Sequence, residues 1–198
     1  METHRLFIAV NITADLRDSI QRVQQRLRYL SGASAMRWTR AEQLHLTLEF
    51  LGNVEASRVE ELSAAFKSAS AGIARMKLAL EGAGCFPSNQ KPSVAWLGVT
   101  GDIGLLTALQ RRIHDAARPY AERVDERDFS PHLTIGRVKN GEFKTARVFG
   151  KALEIEAKKI GRIGEWEVGS VELMRSETKP EGAVYSEVTR CELAGQWL

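Results

Sequence analysis

Apolar residues repeat at helical spacing in four stretches of the chain. In the first stretch, apolar residues from Leu16 to Leu30 recur every three or four positions, which places them on one face of a helix. Thr13 is a suitable N-cap for this helix, and Ser31 and Gly32 follow its last apolar residue. The same spacing predicts three more amphipathic helices, over residues 59–73, 103–118 and 143–158.

Short apolar runs between these helices predict strands. The runs cover residues 5–12, 45–52, 76–86, 93–99, 131–138, 166–176 and 183–193. Two segments with turn chemistry separate neighbouring runs: PSNQKP at 87–92 and KPEG at 179–182. Helices and strands do not alternate regularly, so the order predicts an α+β fold rather than a doubly wound parallel sheet.

No linker rich in proline, glycine or serine divides the chain, so we expect residues 1–198 to form a single domain with two lobes. Hydrophobic residues at 43% and charged residues at 27% are typical of a globular protein. The net charge of +3 is too small to indicate nucleic-acid binding. Cys85 and Cys191 cannot form a disulfide framework, and no apolar stretch is long enough to cross a membrane. We therefore expect a cytoplasmic protein with no membrane association.

The sequence His-Leu-Thr occurs twice, as HLTLEF at 45–50 and as HLTIGR at 132–137, in a chain with four histidines. Residues two apart in a strand point to the same face. His45 is therefore expected to share a face with Thr47 and Glu49, and His132 to share one with Thr134. The residues between them are all aliphatic and are expected to anchor both strands in the core: Leu46, Leu48, Leu133 and Ile135.

Two imidazoles with neighbouring hydroxyls suit in-line displacement at phosphorus. Near neutral pH, one histidine can take a proton from the attacking nucleophile while the other gives a proton to the leaving oxygen. Threonine hydroxyls can donate hydrogen bonds to the non-bridging phosphate oxygens. Arg137 has the wrong parity for the face of His132, but Gly136 permits a bulge that turns the guanidinium towards the phosphate.

A metal site is the competing interpretation of the paired histidines. His45, Glu49 and His132 would supply two imidazoles and one carboxylate. The second motif has Gly136 where the first has Glu49, and threonine is a poor ligand for the metals that imidazole prefers, so we expect no metal. The two remaining histidines lack a neighbouring threonine and are expected at the surface or its boundary: His4 and His114.

The stretches MRWTRAEQLHLTLEFLG and FSPHLTIGRVK resemble the paired HxTx motifs of the two-histidine (2H) phosphoesterase superfamily, with the motif copies at 45–48 and 132–135. They resemble in particular its RNA 2',3'-cyclic phosphodiesterase branch, also called 2'-5' RNA ligase or LigT-like. RLFIAV, SVAWLGV and LMRSETKPEGAVYSEV occur in the order of that branch. The resemblance therefore covers nearly the whole chain.

This resemblance implies a bilobal fold with approximate twofold symmetry, in which two antiparallel-rich sheets have helices packed outside and a central cleft between them. It also implies an enzyme that hydrolyses the terminal 2',3'-cyclic phosphate of RNA to a 2'-phosphate, without a metal or another cofactor. His45 matches the family's proton donor to the ribose 3'-oxygen, and His132 matches the proton acceptor that activates water. The phosphate-binding positions match Thr47, Thr134 and Arg137.

The implied partners are RNA with cyclic phosphate ends, such as tRNA fragments, or nucleotides, with no obligate protein partner. Phe50 either stacks on the terminal base or belongs to the core. Family members often carry a basic residue directly after the proline that corresponds to Pro92, and this residue belongs to the rim that contacts RNA. This chain has Ser93 there, so Lys91 is the candidate for the contact with RNA. Two other functions remain open: 2'-5' ligation at the same site, and an RNA-binding or nucleotide-binding module without turnover.

Overall fold

The computed structural model describes residues 2–124, 127–180 and 182–194. Within these ranges the strands are β1 (Thr3–Asn11), β2 (Met36–Trp38), β3 (His45–Glu55), β4 (Met76–Ser88), β5 (Lys91–Gly101), β6 (His132–Val138), β7 (Arg162–Val168), β8 (Ser170–Lys179) and β9 (Gly182–Glu192). The helices are α1 (Ala14–Leu27), α2 (Val59–Ser70), α3 (Ile103–Ala117) and α4 (Phe143–Ala157). A short 3-10 turn, Ala41–Gln43, precedes the first motif strand.

The strands form one antiparallel sheet with the order β7-β4-β5-β6-β3-β1-β8-β9, and β2 pairs with the end of β6. From the motif strand β3, one half of the sheet runs outward through β1, β8 and β9. From the motif strand β6, the other half runs outward through β5, β4 and β7. The halves meet where Leu46 of β3 pairs with Leu133 of β6. The two expected sheets are thus the two halves of one curled sheet, arranged about the junction of the motif strands.

Two helices cover the outer face of each half. Helix α2 packs against α3 and β9, and α3 packs against β3, whereas α1 packs against β7 and α4 packs against β4 and β5. The apolar faces of these helices and of the sheet enclose one continuous core. Ile20, Phe66, Ile113 and Phe149 contribute buried side chains to it from the four helices. The α+β fold with helices outside the sheet is therefore confirmed.

All four predicted helices are present, although their ends differ from the prediction by a few residues. Helix α1 ends at Leu27 and not at Leu30. The chain then passes close to α4 at Gly32, which has a φ of +80°. A side chain at Gly32 would collide with the backbone of Thr145 and Phe149. The glycine therefore permits both the turn and the close approach of this segment to α4.

The predicted strand over 166–176 is wrong in one respect, because it is two strands that separate at Gly169. Strand β7 pairs with β4, and β8 pairs with β1, so the chain crosses from one half of the sheet to the other at this glycine. Trp166 and Val168 are apolar before Gly169, and Val171 and Leu173 are apolar after it, so the alternation changes parity at the crossover, a signal that the prediction overlooked. The predicted loop 87–92 is also shorter than expected, because β4 extends to Ser88 and β5 begins at Lys91. Strand β2 is too short to give a pattern, and Glu181 of the predicted turn lies outside the described residues.

Two expectations from composition concern the cysteines and the membrane. Cys85 is buried, Cys191 is half-buried, and both are free thiols. In the part of the chain that the structure describes, no helix is long and apolar enough to span a membrane. Neither observation assigns a compartment, so the cytoplasmic location stays a prediction.

The junction between the half-sheets is expected to be sensitive to loss of apolar volume. Leu133 is 0% exposed and pairs with Leu46, which is also 0% exposed. Leu133→Ala should lower the free energy of unfolding by about 2–5 kcal/mol, because it removes buried methyl groups and leaves a cavity. Urea denaturation of this variant and of Val148→Ala, whose side chain is 50% exposed on α4, provides the comparison. A loss below about 1 kcal/mol for Leu133→Ala would contradict the tight packing at the junction.

Candidate active site

The two motif histidines occupy equivalent positions in the two half-sheets. His45 is the first residue of β3 and His132 is the first residue of β6. Nδ1 of His45 lies 2.7 Å from the carbonyl oxygen of Gln43, and Nδ1 of His132 lies 2.7 Å from that of Ser130. A carbonyl oxygen can only accept a hydrogen bond, so Nδ1 carries the hydrogen in each neutral ring. Nε2 of each ring is then left with a lone pair for acid-base chemistry.

The residues after each histidine follow the predicted alternation for the first three positions. Leu46 and Leu133 are buried and face the core. Thr47 and Thr134 are half-buried and stand two residues after the histidines, on the face that carries the imidazoles. The structure therefore brings both imidazole-hydroxyl pairs to the same face of the sheet, on either side of the junction.

Each motif strand has a β-bulge at the fourth residue of its HxTx motif. In β3, Thr47 lies opposite Ala9 and Glu49 lies opposite Ile8, so Leu48 is the extra residue. The pairing of β5 with β6 shifts at the matching place, with Thr134 opposite Trp96 and Gly136 opposite Ala95, which makes Ile135 the extra residue. A bulge changes the parity of every later residue by one. The fifth residue after each histidine is thereby turned to the imidazole face.

Arg137 is the fifth residue after His132, and the bulge places it where the sequence predicted. Its guanidinium is close enough to both motif histidines to lower their pKa values. The extra residue of the bulge is Ile135 and not Gly136. The absence of a side chain at Gly136 matters instead for the packing of β2. A Cβ at Gly136 would lie 3.3 Å from Cε of Met36. The glycine thus allows β2 to pack against β6 beside Arg137.

Phe50 is the fifth residue after His45 and occupies the corresponding position in β3. Its side chain is 55% exposed, so the alternative that it belongs to the core is wrong. Its ring lies 6.2 Å from that of Phe7, which in turn lies 4.8 Å from the ring of His45. An exposed aromatic side chain is therefore available on the imidazole face.

Glu49 does not share the face of His45, so that prediction is wrong. The bulge at Leu48 turns Glu49 to the opposite side, where its side chain is 7% exposed. There its Oε2 atom lies 3.0 Å from Nδ1 of His114, which is half-buried on α3. His114 was expected only at the surface or its boundary, but it contacts the side chain of Glu49 in the motif strand β3.

The same displacement bears on the metal alternative. Its carboxylate, Glu49, lies on the face opposite His45 and His132, so the three cannot ligate one ion in this arrangement. Among residues 2–124, 127–180 and 182–194, no group of three or more His, Cys, Asp and Glu side chains is placed to hold a metal ion.

A glutamine from a helix on the outer face braces each bulge. Nε2 of Gln24, on α1, donates to the carbonyl oxygens of Ile135 at 2.9 Å and Thr39 at 2.8 Å. Nε2 of Gln110, on α3, lies 3.4 Å from the carbonyl oxygen of Leu48. Ile135 and Leu48 are the extra residues of the two bulges. Gln24 is a polar residue on the apolar face of α1, between Ile20 and Leu27, and this signal was missed because its hydrogen-bond acceptors are far away in sequence.

Aromatic side chains surround both histidines, and sequence reasoning missed them. The ring of Tyr185 meets the ring of His45 edge-on at 5.3 Å, and the ring of Phe86 meets the ring of His132 edge-on at 4.8 Å. Tyr185 comes from the β8-β9 hairpin, whose Ala183 carbonyl oxygen accepts a 2.6 Å hydrogen bond from Nε2 of Gln43. This bond ties the hairpin to the turn that precedes His45. Neither aromatic lies near a motif histidine in sequence, so no local signal marks them.

Burial lowers the pKa of both motif histidines. Burial, and secondarily the charge of Arg137, lower the pKa of His45 to about 4, against the opposing effect of its hydrogen bond to Gln43. The pKa of His132 is lowered by the same causes, with the hydrogen bond to Ser130 opposing them. Both imidazoles are therefore neutral at pH 7 in the unliganded protein.

The chain resembles known proteins over almost its whole length. A profile of the family described as LigT like Phosphoesterase matches it twice, over residues 10–96 and 97–185. It is 32% identical over 186 residues to the RNA 2',3'-cyclic phosphodiesterase of Methanothermobacter thermautotrophicus, covering 93% of this chain and 96% of that protein. It is also 32% identical to the RNA 2',3'-cyclic phosphodiesterase of Archaeoglobus fulgidus over 187 residues, 93% of this chain and 97% of that protein.

Solved structures have the same fold. TT0787 of Thermus thermophilus superimposes with a TM-score of 0.75 at 26% identity, covering 98% of this chain and 100% of that chain. E. coli LigT complexed with 3'-AMP superimposes with a TM-score of 0.73 at 26% identity, covering 98% and 99%. The doubled fold and its paired His-Thr strands are those of a two-histidine phosphoesterase. The chain belongs to the LigT-like phosphoesterase family, as its sequence motifs predicted.

The brace at the second bulge gives a testable prediction. Gln24→Leu removes the side-chain hydrogen bonds to the carbonyl oxygens of Thr39 and Ile135. We expect a loss of about 1–3 kcal/mol in the free energy of unfolding, because buried carbonyl groups lose a partner. Gln25→Leu, on the exposed face of the same helix, is the matched control. Equal unfolding midpoints for the two variants in urea would contradict the bracing role.

Proposed function

We propose that the protein is an RNA 2',3'-cyclic phosphodiesterase that converts the terminal cyclic phosphate to a 2'-phosphate by metal-independent acid-base catalysis. One observation carries the proposal. The two histidines have the same strand position and the same Nδ1-to-carbonyl hydrogen bond, and they stand on one face of the sheet on either side of the Leu46–Leu133 junction. In-line displacement at phosphorus requires two such groups, one for the entering oxygen and one for the leaving oxygen.

In the proposed reaction, water attacks the phosphorus of the cyclic phosphate. Nε2 of His132 accepts a proton from the water as the new P–O bond forms. The bond from phosphorus to the ribose 3'-oxygen breaks, and Nε2–H of His45 gives that oxygen a proton. The products are a 3'-hydroxyl and a 2'-phosphate, and a return of one proton from His132 to His45 through solvent restores the starting state.

The remaining site residues are assigned by their place beside the histidines. The hydroxyls of Thr47 and Thr134 donate to non-bridging oxygens, and Arg137 binds a phosphate oxygen through its guanidinium. In the described residues no carboxylate lies within ion-pair distance of Arg137, so its charge is available to an anion. Phe50, on the same face, stacks on the terminal base.

The role of His45 as an acid requires that substrate raise its pKa. In the unliganded protein, burial holds the pKa of His45 at about 4, so the ring lacks the proton that it must donate. A bound phosphodiester brings a negative charge next to the ring, and a nearby opposite charge favours the protonated imidazolium. Substrate binding and protonation of His45 are therefore coupled.

The comparisons support this substrate class. The relatives from Methanothermobacter thermautotrophicus and Archaeoglobus fulgidus are RNA 2',3'-cyclic phosphodiesterases, and E. coli LigT binds 3'-AMP. We extend the proposal to RNA ends that include tRNA fragments, with the cytoplasm as the location.

Ligation by an RNA 5'-hydroxyl in place of water would use the same groups, and water at its bulk concentration favours hydrolysis. A binding module without turnover would not need two imidazoles with open Nε2 atoms.

The direct test uses an RNA oligonucleotide that ends in a 2',3'-cyclic phosphate, incubated with the protein in EDTA. The product should carry a 2'-phosphate. His45→Ala and His132→Ala should each lower the rate about 100-fold to 10,000-fold, because each removes one proton transfer. His4→Ala removes an imidazole from the far end of β1 and is the matched control. An intact end with the wild type, or full rate in either motif variant, rejects the proposal, and joined products would favour ligation.

The pH dependence follows from the lowered pKa values. Catalysis needs one neutral and one protonated histidine, so kcat/KM is highest between the two pKa values of the free enzyme. Both lie below the usual histidine value of 6.5, one of them at about 4. We expect kcat/KM to peak below pH 6.5 and fall towards pH 8, and kcat to peak at higher pH because the bound phosphate raises both pKa values. A kcat/KM that rises through pH 8 would contradict this assignment.

A further inference from the structure

Arg37 lies directly opposite Arg137 in the pairing of β2 with β6. In an antiparallel pair, residues directly opposite each other point to the same face, with Cβ atoms about 4.5–5.5 Å apart. Like charges in such positions repel each other and are destabilising unless something neutralises them. The juxtaposition of two arginines therefore needs a physical reason.

The neighbours of Arg37 fix the face to which it belongs. Met36 is 3% exposed in the core, and the ring of Trp38 lies 5.9 Å from the ring of Phe149 on α4. Because alternate residues of a strand point to opposite faces, Arg37 stands on the face away from α4. This is the face of His132 and Arg137, and Arg37 is exposed there.

Neither arginine has a carboxylate partner within 4.0 Å among the residues that the structure describes. Some other arginines have such partners: Arg75, just before β4, lies 3.0 Å from Glu167, and Arg175, on β8, lies 3.1 Å from Glu177. Arg37 and Arg137 thus form a local excess of positive charge at one edge of the candidate active site. An anion with more than one phosphate group would neutralise both.

The two arginines differ in their distance from the histidines. The charge of Arg137 acts on His45, His132 and Tyr185, which ties Arg137 to the reacting phosphate. Arg37 lies on the neighbouring strand β2. Since neighbouring strands are about 4.8 Å apart, Arg37 is within reach of a group beside the reacting phosphate.

We propose that Arg37 binds the phosphodiester that joins the terminal nucleotide to its 5' neighbour, so that Arg37 and Arg137 together form a subsite for two consecutive phosphates. This inference rests on the proposed function and deepens it, because it makes an RNA chain, and not a cyclic mononucleotide, the preferred substrate. The guanidinium suits the contact, since it can donate two parallel hydrogen bonds to one phosphate.

The kinetic test compares a trinucleotide that ends in a 2',3'-cyclic phosphate with 2',3'-cyclic AMP. In the wild type, kcat/KM should be higher for the trinucleotide. Arg37→Ala should lower the ratio of the two kcat/KM values roughly 10-fold to 100-fold, mainly through the KM of the trinucleotide, as expected for the loss of a charged hydrogen bond. Arg37→Lys should restore part of the ratio, because it keeps the charge but not the bidentate geometry.

Arg111→Ala is the matched control, since it removes one exposed arginine from helix α3 on the outer face. It should leave the ratio at its wild-type value. If Arg37→Ala changes the two substrates equally, or leaves the ratio unchanged, the subsite is wrong even though the proposed activity stands.

A binding measurement separates the subsite from the activity. Fluorescence anisotropy with an unreactive trinucleotide that carries a 2'-phosphate, competed by 2'-AMP, reports the preference for the chain without any turnover. The wild type should bind the trinucleotide more tightly, and Arg37→Ala should remove most of that preference and weaken the salt dependence of binding. Equal preference in wild type and Arg37→Ala overturns the subsite, whether or not the cyclic phosphate is hydrolysed.

Discussion

The pairing of Leu46 with Leu133 is the contact on which the rest of the candidate site depends. It joins the two half-sheets at the motif strands, and both side chains are 0% exposed. Residues on either side of a buried strand position face the opposite way, so burying the leucines turns both imidazoles and both threonine hydroxyls to the other face. The hydrophobic effect therefore aligns two polar groups that are far apart in sequence.

The bulges turn different side chains to the imidazole face at the same position of the two motif strands. Each strand gains an extra residue at the fourth motif position, and each bulge carbonyl accepts from a glutamine on a helix behind it. The position that returns to the imidazole face is an aromatic in β3 and a guanidinium in β6. One half can then offer a stacking surface, and the other a positive charge, as Phe50 and Arg137 illustrate.

Much of this arrangement could be predicted from the sequence, and the failures have physical causes. The fold class, the helices, the motif strands and the facing of His45 and His132 follow from apolar periodicity. The bulge at Leu48 was not predicted, because apolar residues alternate regularly from Leu46 to Phe50 and the extra residue is visible only in the register with β1. That is why Glu49 was assigned to the wrong face. In β6 a bulge was predicted at Gly136, and although the extra residue is Ile135, the direction of Arg137 was predicted.

In the proposed mechanism, one phosphate lies between two imidazoles and controls their protonation. The most direct test is a crystal structure of the protein with a bound 2'-nucleotide, the product of the proposed reaction. It should place the phosphorus between the two Nε2 atoms, with that of His45 within hydrogen-bonding distance of the ribose 3'-oxygen and that of His132 beside a different phosphate oxygen. A nucleotide bound outside this cleft, or with both imidazoles on one oxygen, would contradict the account, and the reverse placement would exchange the acid and the base.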